Sequence, residues 1–600
     1  MSTAIVTGQP VPGSPLEGDL RSLGFDVRVA SDAADAETLL SAVPGDQRVA
    51  VVDARFVGHV HALRLGLTDP RFTAAAVPGA VTAGPQARKA LTHALRTSAT
   101  TGGVPASEVL PDSLAAAMAA EATDVHRPEL GTLVATVPTD PQTRNEARQA
   151  VAAVDDEAVR LRTAVKSRDG FFTTYAISPY SRYLARWCAR RGLTPNQVTT
   201  ASLLTALIAA GCAATGTRGG FVAAGLLLIL SFVLDCTDGQ LARYSLRYST
   251  LGAWLDATFD RAKEYAYYAG LALGAARGGD DVWALALGAM VLQTCRHVVD
   301  FSFNEANHDA TANTSPTAAL SDKLDSVGWT VWVRRMIVLP IGERWALIAV
   351  LTALTTPRIT LVVLLIGCAL AACYTTAGRV LRSLTRKATR TDRAATALAD
   401  LADNGPLASA FAALRPRVTW LRPAPVLAFV GGAVLVGAAL AGPYGSPVVV
   451  AAAALYIALS GLALIMPLKA ALDWLVPPFF RAAEYGTILV LAAKADVNGA
   501  LPAAFGLVAA VAYHHYDTVY RIKGGTGAPP AWLVRAIGGQ EGRTLVVALA
   551  AAVLPAADFP VALTALAVAV ALVVLVESIR FWVAAEKQGA PAVHDEGEPA

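Results

Sequence analysis

The chain has 600 residues, 54% apolar and 16% charged, with a mean hydropathy of +0.45. That excludes a single soluble domain and a disordered chain, and implies several domains with a membrane part. The net charge of +3 gives no basis for a nucleic-acid partner, and the six cysteines form no CxxC pair, which argues against a disulfide framework or a zinc site.

In chain order, residues 1–165 alternate short β-type runs ("AIVTG", "DVRVA", "RVAVVDA") with helical stretches ("SPLEGDLRSLG", "AADAETLLSAV"). This predicts a soluble α/β domain with a parallel sheet. No basic stretch leads into an apolar run at its start, so no signal peptide is expected. The polar segment 139–168 reads as a helix leading to the membrane part. "ISPYSRYLARWCARRGLTPNQVT" (177–199) mixes aromatics with arginines and predicts a helix lying on a membrane surface.

Apolar helices are predicted near 196–215, 220–236, 256–275, 282–303, 344–357 and 359–380. After a charged stretch they resume near 425–442, 447–468, 479–495, 499–517, 542–556 and 559–582. Several are shorter than the ~20 residues a bilayer requires, so their ends should extend into polar, functional residues. Arginines flank alternate loops (Arg182, Arg186, Arg190 and Arg191; Arg243 and Arg247; Arg334 and Arg335; Arg379, Arg382 and Arg386 with Lys387), which predicts a cell-membrane protein with both termini cytoplasmic. The halves look alike: "DRAKEYAYYAGLALGA" (260–275) resembles "FRAAEYGTILVLAAKA" (480–495), and 332–351 resembles 532–551. The domain limits expected are 1–165, 166–400 and 401–600, the last a second six-helix bundle arising by duplication.

Four aspartates stand at the mouth of the second apolar run. Asp235 and Asp238 are three apart, Asp256 and Asp260 four apart, so each pair shares a helix face. One pair closes a helix and the other opens the next, and four carboxylates would converge at the membrane–water boundary. Such a cluster is costly without a cation, and an all-oxygen site favours Mg²⁺ or Mn²⁺ over zinc. Two such ions in one cluster can orient a phosphate. Gly239 leaves room for a ligand near the backbone, Gly252 permits close packing, and Arg243 offers a fork to a diphosphate. Exposed acids capping two helices are the plainer alternative.

The pattern Asp235-x-x-Asp238-Gly239-x-x-Ala242-Arg243, eight residues, Gly252-x-x-x-Asp256-x-x-x-Asp260 resembles the full signature of the CDP-alcohol phosphotransferase family, and "TPNQVT" (194–199) resembles the region before its first helix. The resemblance covers about 165–385. It implies a six-helix membrane enzyme that moves a substituted phosphoryl group from a CDP-alcohol to a second alcohol and releases CMP. It implies two divalent ions, with Asp235, Asp238 and Asp256 as metal ligands and Asp260 as a second-metal ligand or base. Asp256 and Asp260 are thus the expected catalytic residues. Asp238, Gly239, Ala242, Arg243 and Gly252 would hold the cytidine diphosphate. Arg296, His297, Arg334, Arg335 and Arg379 are candidates for the acceptor's phosphate.

The substrate pair stays open between CDP-diacylglycerol with inositol phosphate or glycerol phosphate, and CDP-inositol with inositol phosphate. A twelve-helix transporter or a non-catalytic membrane scaffold are the alternatives. The second half lacks the signature: Phe480 stands where Asp260 would align, although Glu484, His514, His515, Asp517, Arg535 and Glu541 remain near helix ends. It is expected to be catalytically inert. Members of the family are commonly homodimers, so the second half is expected to replace a partner within one chain, with a homodimer as a further possibility. The joint at 169–199 is similar to that in enzymes fusing an inositol-phosphate cytidylyltransferase to a membrane phosphotransferase. After the first strand, however, "TGQPVPGSPLEGDL" has no Arg or Lys before Arg21, and Asp53 reads as a strand-end acid or a remnant metal ligand. The N-terminal domain is expected to be a degenerate, inactive nucleotidyltransferase-like fold.

Overall fold

The computed structural model describes residues 2–100, 109–166, 169–314, 337–413 and 423–587. The N-terminal domain is built on β1 (Ser2–Thr7), β2 (Phe25–Ala30), β3 (Val49–Asp53), β4 (Val57–Gly58), β5 (Ala74–Val77), β6 (Ala80–Ala83), β7 (Val125–His126) and β8 (Ala135–Thr136). Six of them form one sheet in the order β2-β1-β3-β6-β5-β7. Ile5, Val49 and Val51 pack on one face while Ala4, Val6 and Val52 pack on the other. This is the alternation expected of strands buried on both sides. Helices α1 (Leu16–Ser22) and α3 (Val60–Leu67) cover one face; α2 (Ala33–Ser41), α4 (Arg88–Thr100) and α5 (Leu110–Ala120) cover the other.

The sheet is mixed rather than parallel. β1 runs parallel to β2 and β3, but β6 is antiparallel to both β3 and β5. The reason is local: Val77 pairs with Ala80 across Pro78-Gly79, and Gly79 has φ +80°. Pro followed by a left-handed Gly is the chemistry of a tight turn that reverses the chain. Asp53 is a strand-end acid: its carboxylate accepts hydrogen bonds from the backbone N–H, Nε and Nη2 of Arg55 at 2.8, 3.0 and 2.8 Å.

Two helices, α6 (Pro141–Ala152) and α7 (Asp156–Thr163), lead to the membrane part. Arg160 on α7 donates from Nε to the Tyr244 carbonyl at 2.7 Å, and its guanidinium lies 3.6 Å from the Tyr244 ring centroid. The Tyr244 hydroxyl donates to Glu157 at 2.9 Å. Next, α8 (Ser178–Arg190) buries Ser181, Ala185 and Cys188 and exposes Tyr180, Tyr183 and Trp187. An aromatic face of this kind suits the headgroup layer.

The first bundle comprises α9 (Pro195–Ala214), α10 (Arg218–Ser245), α11 (Thr250–Arg277), α12 (Trp283–Asn307), α13 (Ile341–Leu354) and α14 (Pro357–Thr385). After the short α15 (Asp392–Ala402) and α16 (Pro406–Ala413) come α17 (Ala424–Ala441), α18 (Pro447–Ala463), α19 (Val476–Ala495) and α20 (Ala500–Lys523). The short α21 (Ala531–Ala536) precedes α22 (Gly539–Val553) and α23 (Phe559–Lys587). Several helices outrun their apolar cores into polar residues, α10 by nine positions beyond 236. Small residues allow close approach: a Cβ on Gly270 or Gly274 would strike the carbonyl of Ala210 or Ala213 on α9.

Six described helices are long and apolar enough to cross a membrane: Pro195–Ala214, Arg218–Ser245, Pro357–Thr385, Ala424–Ala441, Asp473–Ala495 and Ala556–Glu586. The others include α11 and α20, whose buried Lys263 and Glu264, or His514, Asp517 and Arg521, lower their hydropathy and turn inward to partners. The halves pack through α12 against α19 and α20, and through α11 against α23. One ion-pair arrangement occurs in both. In the first, Arg261 and Arg344 contact Glu264, each at 2.9 Å. In the second, Arg481 and Arg543 contact Glu484 at 2.7 and 2.6 Å. Arg344 thus corresponds to Arg543, one position from the pairing that aligning 332–351 with 532–551 implies.

Candidate active site

The site forms where α10 ends and α11 begins. Leu246 stops α10 in a left-handed conformation, φ 51°. Ser249 then caps α11 by accepting from the Gly252 N–H at 2.9 Å. This short connection sets the last turns of α10 beside the first turns of α11. Asp235, Asp238 and Asp256 there bring carboxylate oxygens within 4.8 Å of one another. Asp238 is buried with Oδ2 unpartnered, and Asp256 is open to a cavity of about 410 Å³ that all four aspartates line. A cavity of that size suits a small-molecule site.

Asp260 is engaged differently. Lys263, one turn on along α11 and fully buried, places its ammonium 2.8 Å from Asp260 and also ion-pairs with Asp235. It donates a further hydrogen bond to Ser202 Oγ at 3.2 Å. Sequence reasoning missed Lys263; the signal was its i+3 spacing from Asp260 on an apolar helix.

Gly239, Ala242, Arg243 and Gly252 all line the cavity. A Cβ on Gly239 would sit 3.5 Å from Arg243 Nη1, so the guanidinium passes beside that glycine. Arg243 Nε donates to the Ala164 carbonyl at 2.6 Å, which ties it to the segment joining the N-terminal domain. A Cβ on Gly252 would come within 2.6 Å of Asn196 Oδ1 and 2.8 Å of Ser249 Oγ. Asn196 belongs to the "TPNQVT" stretch, where Thr194 and Gln197 form a reciprocal cap on α9.

The described lining of the cavity does not include Arg296, His297 or Arg379. Arg296 donates to the Val338 carbonyl, His297 contacts Tyr516 and Gln293, and Arg379 pairs with Asp300 at 2.5 Å. Arg334 and Arg335 lie outside the described residues. The basic residues in the lining are Lys166, Arg243, Arg247, Arg261 and Lys523. Lys523 belongs to α20 of the second bundle, as does Tyr520, and Trp582 comes from α23. No pattern near Asp235–Asp260 points to residues so distant in sequence.

Several polar groups of the second bundle pair with one another or with nearby backbone. Arg481, Arg543 and His514 surround Asp403 at 3.0, 2.7 and 3.1 Å. Glu541 accepts from the backbone N–H of Gly405 and Ala408, and Asp517 accepts from Ser578 and Trp582. His515 is buried, Arg535 is exposed, and Phe480 is buried at the position matching Asp260.

Fold and site together define a helical membrane domain with an acidic cavity at two adjoining helix ends. Residues 192–373 match the model of the CDP-alcohol phosphatidyltransferase family. Residues 392–600 match a family of unknown function (DUF5941). The chain is 35% identical over 130 residues to the phosphatidylinositol phosphate synthase of Streptomyces avermitilis, covering 20% of this chain and 51% of that one. It is 32% identical over 114 residues to the bifunctional IPC transferase and DIPP synthase of Aquifex aeolicus (19% and 26%). It is 30% identical over 113 residues to the archaetidylinositol phosphate synthase of Pyrococcus horikoshii (19% and 58%). The chain thus spans about a quarter to a little over half the length of these relatives.

Proposed function

We propose that this protein is an integral membrane phosphotransferase that moves a substituted phosphoryl group from CDP-diacylglycerol or CDP-inositol to inositol phosphate or glycerol phosphate, releasing CMP. The observation that carries this reading is the meeting of Asp235, Asp238 and Asp256 within 4.8 Å in a cavity that Gly239, Arg243 and Gly252 also line. The unpartnered, buried Asp238 Oδ2 fits a cation, and the all-oxygen donor set fits Mg²⁺ or Mn²⁺. Asp235, Asp238 and Asp256 would hold one ion, and Asp260 would share in a second. When bound, the ions neutralise the charge that develops on the transferred phosphoryl group.

The chain's own groups do the rest. Arg243, steered by its bond to Ala164, presents its fork to the diphosphate. Gly239 and Gly252 keep side chains out of the nucleotide's path. Asp260 is the base for the acceptor hydroxyl, with Lys263 holding its carboxylate in place. The site lies at the cytoplasmic face in this reading, as the arginine distribution favours. The repeated Arg–Glu–Arg arrangement supports a second bundle that replaces a partner subunit, and Asp53, held by Arg55, supports an N-terminal domain without its own metal chemistry.

The test incubates the purified chain with Mg²⁺ and a panel of CDP-alcohols and acceptors, with products read by mass spectrometry. CMP and a joined phosphodiester are expected. Asp256→Asn should abolish turnover while the protein elutes as the wild type does; retained turnover in that variant overturns the metal assignment.

A further inference from the structure

The connection between the two aspartate pairs is held from outside the bundle. Where α10 ends, its last carbonyls lack partners within the helix. The one on Tyr244 accepts from Arg160 Nε of α7 at 2.7 Å, and the same guanidinium lies 3.6 Å from the Tyr244 ring centroid. The dipole of α10 also favours a cation at this end. The Tyr244 hydroxyl donates to Glu157 at 2.9 Å, and its ring is buried with Leu161 and Ala164. Arg243, in the same turn, donates from Nε to the Ala164 carbonyl at 2.6 Å.

A second contact comes from the sheet domain itself. Tyr248 stands in the connection between α10 and α11, and Arg71, between α3 and β5, has its guanidinium 4.2 Å from the Tyr248 ring centroid. Asp69 sets that guanidinium in place. It is buried, and it accepts from the Arg71 backbone N–H at 3.0 Å, from Nε at 3.1 Å and from Nη2 at 2.7 Å. The helices leading to the membrane are tied to the same domain, since His59 Nε2 lies 3.1 Å from the Val151 carbonyl of α6. Arg243, Arg247 and Tyr248 line the cavity, whereas Arg160 and Arg71 are not part of its described lining. The two arginines thus reach the site through the connection.

We infer that the N-terminal domain and its leading helices are a scaffold for the membrane site: Arg160 and Arg71 are positioning residues that fix the α10–α11 connection and, through it, the wall of Arg243, Arg247 and Tyr248 that receives the nucleotide-linked donor. This rests on the phosphotransferase reading, which gives Arg243 to the diphosphate. The connection runs only from Leu246 to Ser249, so a shift at either tyrosine moves the groups beside it. Small displacements of an arginine fork are enough to weaken its grip on a substrate. A domain without metal chemistry of its own thereby still contributes to turnover.

The full-length protein in detergent, with Mg²⁺, is the material for the test. Wild type, Arg160→Met, Arg160→Lys, Arg71→Met and Arg71→Lys are compared for KM of the CDP-alcohol, KM of the acceptor, kcat and melting midpoint. Amide exchange of residues 241–253 is followed by mass spectrometry. Each Met variant should raise the CDP-alcohol KM about five-fold or more, with acceptor KM and kcat within about two-fold. Exchange at 246–252 should quicken about ten-fold or more. The Lys variants keep a cation over the tyrosine ring and should recover part of both losses. Unchanged donor KM and unchanged exchange in the Met variants of a protein that turns over would overturn the inference and leave the phosphotransferase reading standing. Wild type that turns over no CDP-alcohol would overturn that reading, while exchange at 246–252 still decides whether the two arginines hold the connection. A loss spread equally over donor KM, acceptor KM and kcat, with a lowered melting midpoint that Lys does not repair, would mark a purely structural contact and also overturn the inference.

Discussion

Replacing Lys263 by Met tests how the carboxylate cluster is balanced. The ammonium lies 2.8 Å from Asp260 and pairs with Asp235, with no exposure to solvent. At an effective dielectric near 20, a pair at that distance is worth about 6 kcal/mol before desolvation. Deleting one partner of a buried pair costs about 3–5 kcal/mol, because the remaining charge stays buried. Lys263→Met should therefore lower the thermal midpoint of the metal-free protein by roughly 10 °C in EDTA. The same vacancy favours a divalent ion. Mg²⁺ at about 100 times its Kd adds about 2.7 kcal/mol. The gap between EDTA and Mg²⁺ midpoints should accordingly widen in the variant, and calorimetry should show the second ion binding more tightly than in the wild type. A midpoint in EDTA within about 2 °C of the wild type, with no change in Mg²⁺ binding, would refute the view that Lys263 balances Asp235 and Asp260.

Two further outcomes are expected. Gly252→Ala forces a Cβ to within 2.6 Å of Asn196 Oδ1 and 2.8 Å of Ser249 Oγ, so the α11 cap must shift; we expect a rise of about ten-fold or more in the CDP-alcohol KM, checked by steady-state kinetics. In the N-terminal domain, His61 is buried with both ring nitrogens unpartnered, and burial, followed by the nearby Arg160 and Arg64, pushes its pKa down from 6.5 to about 3. The unfolded chain binds a proton below pH 6.5 and the folded domain does not, so this stability is intact above pH 6.5 and falls as pH drops toward 3. The loss is about 2 kcal/mol by pH 5. Hydrogen exchange of the β3 amides across that range should show it, and His61→Phe should flatten it.

Several features were written locally and could be read in one dimension. Helix periodicity places Asp235 with Asp238 and Asp256 with Asp260 on shared faces, and the short polar link between them brings the two helix ends together. The apolar runs mark helix cores, and alternation in residues 1–165 marks strands buried on both faces. These depend on neighbours within a few residues, so spacing alone reports them.

Other features exist only because distant segments meet. The Pro78-Gly79 reversal made the sheet mixed, since strand direction is settled by how a turn closes and not by the strand's composition. Arg296, His297 and Arg379 suit an acceptor site by residue type, yet packing keeps them out of the described cavity lining, with contacts to Val338, Tyr516 and Asp300. Lys523 and Trp582, some 260 and 320 residues beyond the aspartates, line the cavity instead. Amino-acid order determined which groups can bind a cation and a phosphate, because that is chemistry of the side chain and its helix. Tertiary packing decided which of them face one another across the cavity, because burial forces charged side chains to find partners and only the packing of distant helices brings those partners within reach.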